Sequence, residues 1–413
     1  MTREKFHNRL IQLEKVFVVI SLLIFTGAII PLLRAQDTEN FEGDPLIQML
    51  FILIYIVIAG VIFVNFRKFI ELIKNDIWII LLVLIAVASF FWSVAPEITS
   101  RRIVAIIGTT LFGIYLAMRY NLHDILKLLL WSFGIITLLS VIFGVFLPQF
   151  GVHSGLHDGA WRGVFTHKNV LAKYMTLSSL VFLVFILMNK GRKRKLLWAG
   201  FILSLLLVLL STSKTGLVMV ISFLILIPLF RSLRWKARIL IPFFIMVFLT
   251  VCSIGILFVG NIEEILGAMG KDITFSGRTE LWGAVWSKIL QEFWLGYGYR
   301  SFWIGWEGES ADVYIDTGWM PVHSHNGLLD LWLELGLIGV TTFIISYFLN
   351  LKRSTSLFFK IGIAGLFPLI FMTFLFLSNL SESSILRQNN IFWVLYVALT
   401  LVMTKQEKTV EKG

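Results

Sequence analysis

The chain has 413 residues, of which 57% are hydrophobic and only 15% are charged. Soluble globular domains carry about 45–50% apolar and ~25% charged residues, so this composition excludes a soluble enzyme, a disordered chain and a coiled coil. A single cysteine, Cys252, excludes an intramolecular disulfide and a cysteine-based metal cage. One helical span needs about 20 apolar residues, and the apolar supply suffices for about twelve spans.

Hydropathy predicts twelve membrane-spanning helices, so the fold class is an all-α polytopic membrane protein, with one integral membrane domain over residues 1–413. The first span follows basic residues and lacks a small-residue cleavage site, so we interpret it as a retained anchor. In chain order the predicted spans are 15–33, 45–64, 77–95, 101–119, 124–147, 169–188, 195–211, 214–230, 238–260, 327–349, 357–377 and 390–404.

Basic side chains lie mostly on the connections that share one side with the N-terminus. Residues 190–195 and 231–238 each carry several Lys and Arg. Because cytoplasmic loops are enriched in these residues, the pattern predicts that the N-terminus and the C-terminus are both cytoplasmic. The net charge of +11 therefore reflects membrane topology, and we expect no nucleic-acid partner.

Two outward loops are longer than the other connections. The small outer loop covers residues 148–168, and the large outer loop covers residues 261–326. Binding and catalytic residues concentrate in such loops, and polar groups near membrane depth are costly unless they have a function. We therefore look for the functional residues in and beside these two loops.

The large outer loop contains a predicted amphipathic helix that follows Thr279, a candidate N-cap. It is either a lid on the bundle or an interfacial helix, since tryptophans suit the bilayer interface. Arg278 lies beside the positive end of the helix dipole, which is unfavourable unless both together bind an anion. The apolar face consists of Leu281, Trp282, Val285, Trp286, Ile289, Leu290 and Phe293.

A polar stripe is predicted on the long span that follows the large loop. Asn326, Asp330 and Glu334 are spaced four residues apart, so they share one face of the helix. Acidic groups within a span normally face the bundle interior or a wet cavity. The stripe is either a stabilising polar contact within the bundle or part of a site.

Two histidines, His323 and His325, come directly before this span. Histidine is the side chain best suited to general acid–base work near neutral pH. A metal pair is the alternative, but no further metal-ligand motif accompanies the two histidines. The pattern favours a catalytic base and no metal.

Several cations start or flank spans on the outward face, although that face is acidic overall. A single Lys or Arg at a helix end is ordinary, but their convergence predicts a pocket for an anionic lipid headgroup, such as a diphosphate. The predicted cations are Arg101, Arg102, Arg162, Lys168, Lys214 and Arg278, and His167 and Asn169 adjoin Lys168.

These residues together resemble the O-antigen ligase and Wzy-type polysaccharide polymerase superfamily, most closely its ExoQ-like branch. The resemblance covers about residues 160–340, and the first four spans match in hydropathy alone. The ligase pattern of a His-Asn pair and a later Gly-x-x-Gly fits His325, Asn326, Gly336 and Gly339. The other motifs are Val-Phe-Thr-His-Lys-Asn at 164–169, Ser-x-Ser-Lys at 211–214, Ser-Gly-Arg-Thr-Glu-Leu-Trp at 276–282, Trp-Leu-Gly-Tyr-Gly-Tyr at 294–299 and Glu-Ser at 382–383.

The resemblance implies a GT-C-like glycosyltransferase of the bacterial cytoplasmic membrane that acts on its outer face without metal or other cofactor. It implies an undecaprenyl-diphosphate-linked glycan donor and a glycan or lipid acceptor. Membrane lipids, a flippase and a chain-length regulator are the further expected partners. By motif position, His325 is the general base, and Lys214 and Arg278 hold the diphosphate. Many relatives have Arg at the position of Lys214, and Lys lacks the bidentate fork of Arg.

The chemistry of a glycosyl diphosphate agrees with this assignment. The leaving group is good, so the reaction needs a base for the incoming hydroxyl and cations for the departing charge. Asp330 or Glu334 either orients His325 or hydrogen-bonds the acceptor sugar. The aromatic residues that either stack on sugar rings or anchor the protein at the interface are Trp294, Tyr297, Tyr299, Trp303 and Trp306.

Three alternatives to a polymerase stay open at this point. A ligase would transfer a finished glycan to a lipid or protein acceptor. A transporter of lipid-linked oligosaccharide would be supported by inverted repeats with paired broken helices, which we do not find. The third alternative is a non-catalytic membrane scaffold.

Overall fold

The computed structural model describes residues 3–28, 44–233 and 278–411, and these parts of the chain are almost entirely helical. The predicted ninth span (238–260), residues 261–277 of the large loop and Cys252 lie outside the described residues. The helices are α1 (Arg3–Phe25), α2 (Pro45–Val64), α3 (Phe66–Ile73), α4 (Ile77–Ala88), α5 (Pro96–Arg119), α6 (Leu122–Phe146), α7 (Pro148–Gly151), α8 (Lys168–Met188), α9 (Lys193–Leu210), α10 (Lys214–Ser232), α11 (Arg278–Gln291), α12 (Ala311–Thr317), α13 (Gly327–Ile361), α14 (Ile363–Asn379) and α15 (Ile391–Glu411).

The chain is a multi-pass membrane protein. Within the described residues, six helices are long and apolar enough to cross a membrane: α2, α5, α6, α8, α10 and α13. Two shorter apolar segments, Ile77–Phe91 and Ile363–Asn379, add to these. Many large apolar side chains on the outer surfaces of these helices are exposed, as lipid contact requires.

The boundaries of the last predicted spans need correction. The sequence predicts a connection between 349 and 357, but α13 continues through it to Ile361, and α14 begins two residues later. Asn350 and Ser354 are buried, so this polar stretch packs inside the protein and does not leave the helix. Thr279 is also not an N-cap, because helix α11 already includes Arg278.

Helix α15 lies at the centre of the bundle. Its residues 391–399 are all buried, including Trp393 and Tyr396. Helix α5 packs closely against it at Gly113, where an added Cβ would lie 2.7 Å from Cβ of Val397. The absence of a side chain at this glycine therefore permits the close approach of the two helices.

We call the end of the bundle where α5, α8, α10 and α13 begin the site end. At the opposite end, the guanidinium of Arg119 binds the carboxylate of Glu14 with two N–O distances of 2.7 Å. Arg353 binds the buried carboxylate of Asp76 there. These ion pairs hold the helix ends together away from the site.

Helix α13 is broken at Gly336, whose backbone (φ 62°, ψ −167°) is not helical. A short segment of the large loop fills the break. The backbone N–H groups of Tyr297 and Gly298 donate to the carbonyls of Leu333 and Glu334 at 2.7 and 3.0 Å. The N–H of Leu337 donates to the Phe293 carbonyl at 2.9 Å. These bonds satisfy backbone groups that the break exposes within the bundle.

The same loop segment is also bound to the turn between α4 and α5. Val94 donates its N–H to the Tyr297 carbonyl at 3.0 Å, and the Tyr299 N–H donates to the Ser89 hydroxyl at 2.9 Å. Gly298 has φ 101° and lies against Ser93, where an added Cβ would be 2.6 Å from the serine Cβ. Residues 293–299 therefore link α4, α5 and the broken helix α13.

We predict that Gly336→Ala strongly destabilises the protein. The alanine Cβ would lie 2.1 Å from the Trp294 carbonyl oxygen in a backbone region that disfavours side chains; such strain costs about 1–3 kcal/mol before any clash. Thermal unfolding in nanodiscs should show a marked fall in melting temperature. Gly283→Ala is the control, because a Cβ added to that helical glycine would have no atom within 4 Å, so this variant should not lose stability. Equal stability of both variants would contradict the packing described for the break.

Candidate active site

The two predicted histidines lie in a tight turn just before α13. His325 has φ 54°, an uncommon conformation for a residue that is not glycine. Its own N–H donates to Nδ1 of His323 at 3.0 Å, and the two rings are 4.2 Å apart between centroids. The His325 side chain is partly exposed, while His323 and Ser324 are buried. The turn therefore leaves part of the His325 ring accessible, while its Nδ1 atom is buried.

The buried ring of His323 contacts the backbone of His325. Its Nδ1 accepts the His325 N–H, so that nitrogen must be unprotonated. Burial and the neighbouring His325 lower the pKa of His323 well below its usual value, with Arg387, Arg300 and Lys173 acting in the same direction. His323 is therefore neutral near pH 7 and fixes the backbone of His325.

The first residues of α13 hold the turn from the other side. Oδ1 of Asp330 accepts the Ser324 N–H at 2.9 Å and the indole N–H of Trp303 at 3.0 Å. Asn326 is the N-cap of the helix, since its Oδ1 accepts the N–H of Leu328 at 3.0 Å. Asp330 and Glu334 of the predicted polar stripe are buried, Asn326 is partly exposed, and Asp330 acts on the backbone of the histidine turn.

Glu334, the last member of the stripe, faces an arginine that is not among the cations predicted from the sequence. Nη1 of Arg300 lies 3.5 Å from Oε1 of Glu334, and both side chains are largely buried. Nη1 of Arg102, a predicted cation, donates to the Arg300 carbonyl. Arg300 also has a positive φ of 57°. Arg102 is partly exposed, and with the largely buried Arg300 and Glu334 it forms a charged group where the broken helix meets α5.

Arg278 lies at the beginning of α11, which packs against the histidine turn. One turn further along, the indole N–H of Trp282 donates to the Ser324 carbonyl at 2.9 Å. Burial lowers the pKa of Arg278, and the carboxylate of Glu382 opposes this change. Leu281, Val285 and Ile289 are buried in a small apolar core of the large loop, while Trp286 and Leu290 of the same predicted face are exposed.

Helix α8 contributes a lysine to the same region. Nζ of Lys173 donates to the Ser384 hydroxyl at 2.6 Å and lies 4.6 Å from the ring centre of Phe392. The Ser384 N–H donates to Oδ1 of Asn379 at 2.7 Å, and that amide lies against Gly327, the first residue of α13. This series of contacts connects Lys173 with the start of α13, next to the histidine turn.

The loop 380–390, which contains the Glu-Ser motif, completes this part of the site end. The Arg387 guanidinium donates to the Ser383 carbonyl at 3.3 Å. The Tyr299 hydroxyl donates to the Leu386 carbonyl at 2.7 Å, which connects this loop with residues 293–299. Arg387 and Glu382 are both partly buried, and both act electrostatically on Lys173, as Glu382 also does on Arg278.

The small outer loop holds three histidines against the start of α8. His153, His157 and His167 have ring centroids 5.3–5.7 Å apart. Nε2 of His153 accepts the Lys168 N–H at 3.1 Å, and His167 is the N-cap of α8 through the Asn169 N–H at 3.2 Å. Nitrogens of two of the rings thus accept backbone hydrogen bonds.

The predicted cations fall into separate groups. Asn169 accepts the Ser213 hydroxyl at 2.8 Å, which brings the turn before Lys214 beside Lys168. Lys214 itself is exposed. Arg101 is exposed and donates to a carbonyl of its own helix, that of Glu97. Arg162 donates to the Phe150 carbonyl within the small loop. These hydrogen bonds of Arg101 and Arg162 are local and do not reach the histidine turn.

Three residues of the site end are not among the site residues predicted from the sequence: Arg300, Arg387 and Lys173. Lys173 carried a signal, since a lysine one turn inside an outward helix end is unusual at membrane depth. Arg300 and Arg387 each follow one of the sequence motifs, but their position depends on loops of irregular structure. Among the described residues, no group of three or more His, Cys, Asp or Glu side chains is arranged to hold a metal ion.

An apolar groove of about 120 Å³ adjoins this region between α13 and α14. It is partly open on the outer surface of the bundle, where Phe348 and Phe376 are exposed. Its site-end wall includes Asn379, the residue that contacts Gly327 and Ser384. The lining also includes Leu328, Phe343, Tyr347, Leu375 and Ile385.

The fold and this site define a polytopic membrane protein with a histidine and several cations at one end of the bundle. Residues 199–344 match the family model described as O-Antigen ligase. The chain is 27% identical over 317 residues to the exopolysaccharide production protein ExoQ of Rhizobium meliloti, covering 71% of this chain and 70% of the relative. A segment of 83 residues is 35% identical to a Rickettsia conorii protein that bears the provisional name polysaccharide ligase, covering 19% of this chain and 20% of that protein.

These matches confirm the resemblance drawn from the motifs. The chain is a membrane enzyme of polysaccharide processing, similar to the O-antigen ligases and to ExoQ. The motifs at 211–214, 276–282, 294–299 and 323–326 all lie within the residues matched by the family model.

We predict that the small outer loop makes the protein less stable in acid. Burial lowers the pKa of His153 to about 4, and His167, Arg162, His157 and Lys168 act in the same direction. The unfolded chain binds a proton at this position near pH 6.5, whereas the folded chain does so only near pH 4. Stability is therefore lost as the pH falls through this window.

His153→Gln should reduce this loss, because glutamine can accept the Lys168 N–H and does not titrate. The measurement is the melting temperature between pH 7 and pH 4 for the variant and the wild type. His7→Gln is the control at an exposed histidine. An unchanged acid dependence in His153→Gln would refute the prediction.

Proposed function

We propose that the protein polymerises lipid-linked oligosaccharide repeat units by glycosyl transfer, with His325 as the general base. The observation that carries the proposal is the histidine turn. A partly exposed imidazole is held in an uncommon backbone conformation by His323 and by contacts from Asp330 and Trp282. Such strain is maintained where a side chain must be presented in one orientation.

The reaction is a single displacement at the anomeric carbon of the donor sugar. The acceptor hydroxyl oxygen forms a bond to this carbon, and the bond from the carbon to the diphosphate oxygen breaks. The electron pair leaves with the diphosphate, and the hydroxyl proton passes to the His325 imidazole. This displacement inverts the configuration at the anomeric carbon.

Cations at the site end neutralise the charge that develops on the diphosphate. Arg278 and Arg387 are two arginines of this region that interact with the 380–390 loop, and both can form bidentate contacts with phosphate oxygens. Lys173 supplies a further positive charge beside them. Lys214 and Lys168 are at the neighbouring helix ends and contribute a wider positive field.

The donor lipid lies in the apolar groove between α13 and α14. A polyprenyl chain needs an apolar path, open to the membrane, that ends beside the diphosphate site. The groove meets this requirement, since its lining is apolar and its end at Asn379 is one hydrogen bond away from Ser384, which contacts Lys173. The resemblance to the O-antigen ligases and to ExoQ implies that the donor is an undecaprenyl-diphosphate-linked glycan in the outer leaflet of the bacterial cytoplasmic membrane, and the groove is compatible with such a lipid.

Transfer of a finished glycan to another acceptor is the second candidate function. The family description as an O-antigen ligase and the provisional ligase name of one relative favour it. The exopolysaccharide production protein, which aligns over most of the chain, favours synthesis of a polysaccharide. Both functions use the same donor chemistry and the same base.

We expect His325→Ala to lower transfer by about 10²–10⁴-fold, because a positioned base contributes about that much. The measurement is the chain-length profile of lipid-linked and surface glycans in a deletion strain complemented with the variant. Single repeat units on the carrier would indicate a polymerase, and full-length chains retained on the carrier would indicate a ligase. His123→Ala is the control at an exposed histidine in the first turn of α6. Unchanged glycan output from His325→Ala would exclude the base assignment.

We expect Arg278→Ala to lower kcat/KM for the lipid donor by about 10²-fold, as loss of one charge-stabilising donor does. Arg278→Lys should recover part of the loss, because lysine keeps the charge but not the fork. The assay is transfer from purified lipid-linked donor in nanodiscs. Arg67→Ala, at an exposed arginine of α3, is the matched control. A wild-type donor dependence in Arg278→Ala would remove Arg278 from the diphosphate site.

A further inference from the structure

The large loop presents two exposed tryptophans close to His325. Trp319 is 41% exposed, and its ring centroid lies 6.1 Å from that of His325. Trp306 is 57% exposed, and its indole N–H donates to Sδ of Met320 at 3.1 Å. We call Trp306 and Trp319 the tryptophan platform. Trp319 is the platform residue beside the candidate base, and Trp306 contacts Met320, the chain neighbour of Trp319.

The platform has a rigid support. Trp306 packs edge-on against the buried ring of Tyr314 in α12, with centroids 5.3 Å apart. Gly318, with φ 73°, ends this helix and precedes Trp319. Lys288 of α11 fixes α12 through Glu309 at 3.0 Å and Asp312 at 2.5 Å. Burial opposes the charge of Lys288, but these two carboxylates raise its pKa overall, so the ion pairs persist.

The surroundings of the platform are acidic. Residues 301–322 contain four carboxylates, Glu307, Glu309, Asp312 and Asp316, and no lysine or arginine. Glu307 and Asp316 are exposed. Amphipathic segments that lie on a membrane surface are typically rich in Lys and Arg on their polar face. The charge of this segment opposes membrane contact.

Aromatic rings and carboxylates together match the chemistry of a sugar. The C–H faces of a pyranose are weakly positive and apolar, so they pack on the negative face of an indole. Its hydroxyls donate hydrogen bonds that carboxylates accept strongly. Trp294 is more exposed than either platform residue, at 64%, but it lies at the break of α13. Tyr297 and Tyr299 are buried and cannot stack on a ligand.

We propose that the tryptophan platform is the acceptor subsite, where the terminal sugar of the acceptor glycan stacks on Trp319 and Trp306 and presents its hydroxyl to His325. This inference rests on the proposed function. It assigns the anionic donor to the cations of Arg278, Arg387 and Lys173, and the acceptor to the acidic aromatic surface. Glu307 and Asp316, which lie outside the ion pairs of Lys288, select acceptor sugars without negative charge at this subsite, because an acidic sugar would be repelled.

The test is a transfer assay with purified protein in nanodiscs. The donor is the lipid-linked repeat unit extracted from the deletion strain, and the acceptor probe is the same oligosaccharide released from its carrier by mild acid. Trp319→Ala and Trp306→Ala should each raise the KM for the acceptor by about tenfold, as expected for loss of one aromatic contact. The donor KM and kcat should stay within about twofold of the wild type.

Trp319→Tyr should keep most of the acceptor affinity, because an aromatic face for stacking remains. This variant also keeps the test valid if Trp319→Ala does not fold. Trp131→Ala is the control at an exposed tryptophan of α6, outside the platform and the site end, and should leave the acceptor KM unchanged. Two results would overturn the proposal: an unchanged acceptor KM in both platform variants, or an equal rise in Trp131→Ala.

Calorimetric binding of the free oligosaccharide to His325→Ala protein separates this proposal from the function on which it rests. Binding that depends on both tryptophans supports the subsite even if no transfer activity is found. Absence of transfer activity would count against the proposed transferase function. Transfer that depends on His325, together with oligosaccharide binding that is insensitive to both tryptophans, would keep the transferase and exclude the platform. Absence of oligosaccharide binding to folded wild-type protein would also exclude the platform.

Discussion

The break in helix α13 is the constraint on which the site depends. Gly336 interrupts the helix inside the bundle, where unpaired backbone groups are costly. The segment 293–299 resolves this problem by hydrogen bonding to residues on both sides of the break. The segment thereby fixes the short first part of α13, which carries Asp330 and Glu334. It also fixes Arg300, which directly follows the segment in the chain. The histidine turn is held by the helix start that this arrangement positions.

Charge is distributed unequally around His325. Arg278, Arg387 and Lys173 lie on one part of the site end, and an acidic segment with exposed tryptophans lies on another. His323 is neutral, and its low pKa follows from burial, from the neighbouring His325 and from the nearby cations. Under the proposed function, this distribution separates an anionic lipid donor from an uncharged sugar acceptor and directs both to one imidazole.

Apolar runs predict the helical membrane class correctly, because continuous hydropathy reports lipid contact directly. They predict the helix ends less well. Helix α13 extends to Ile361 because Asn350 and Ser354 are buried against other helices. Hydropathy alone interprets this polar stretch as a connection between two spans. Threonine is a preferred N-cap residue, but the helix already includes Arg278, the residue before Thr279. In both cases packing overrides the local pattern.

The candidate site was predictable where chemistry is local. The sequence by itself determined the histidine turn, the polar stripe of Asp330 and Glu334, and the membrane class, since each depends on residue types at short spacing. Only the tertiary structure decided that Asp330 holds Ser324, that Arg300 faces Glu334, and that Lys173 and Arg387 approach from helices and loops distant in sequence. It also showed that the recorded hydrogen bonds of Arg101 and Arg162 are local, to the carbonyls of Glu97 and Phe150. The physical reason is that the contacts of Arg300 and Lys173 cross 34 and 211 residues of chain, so no spacing in the sequence records them.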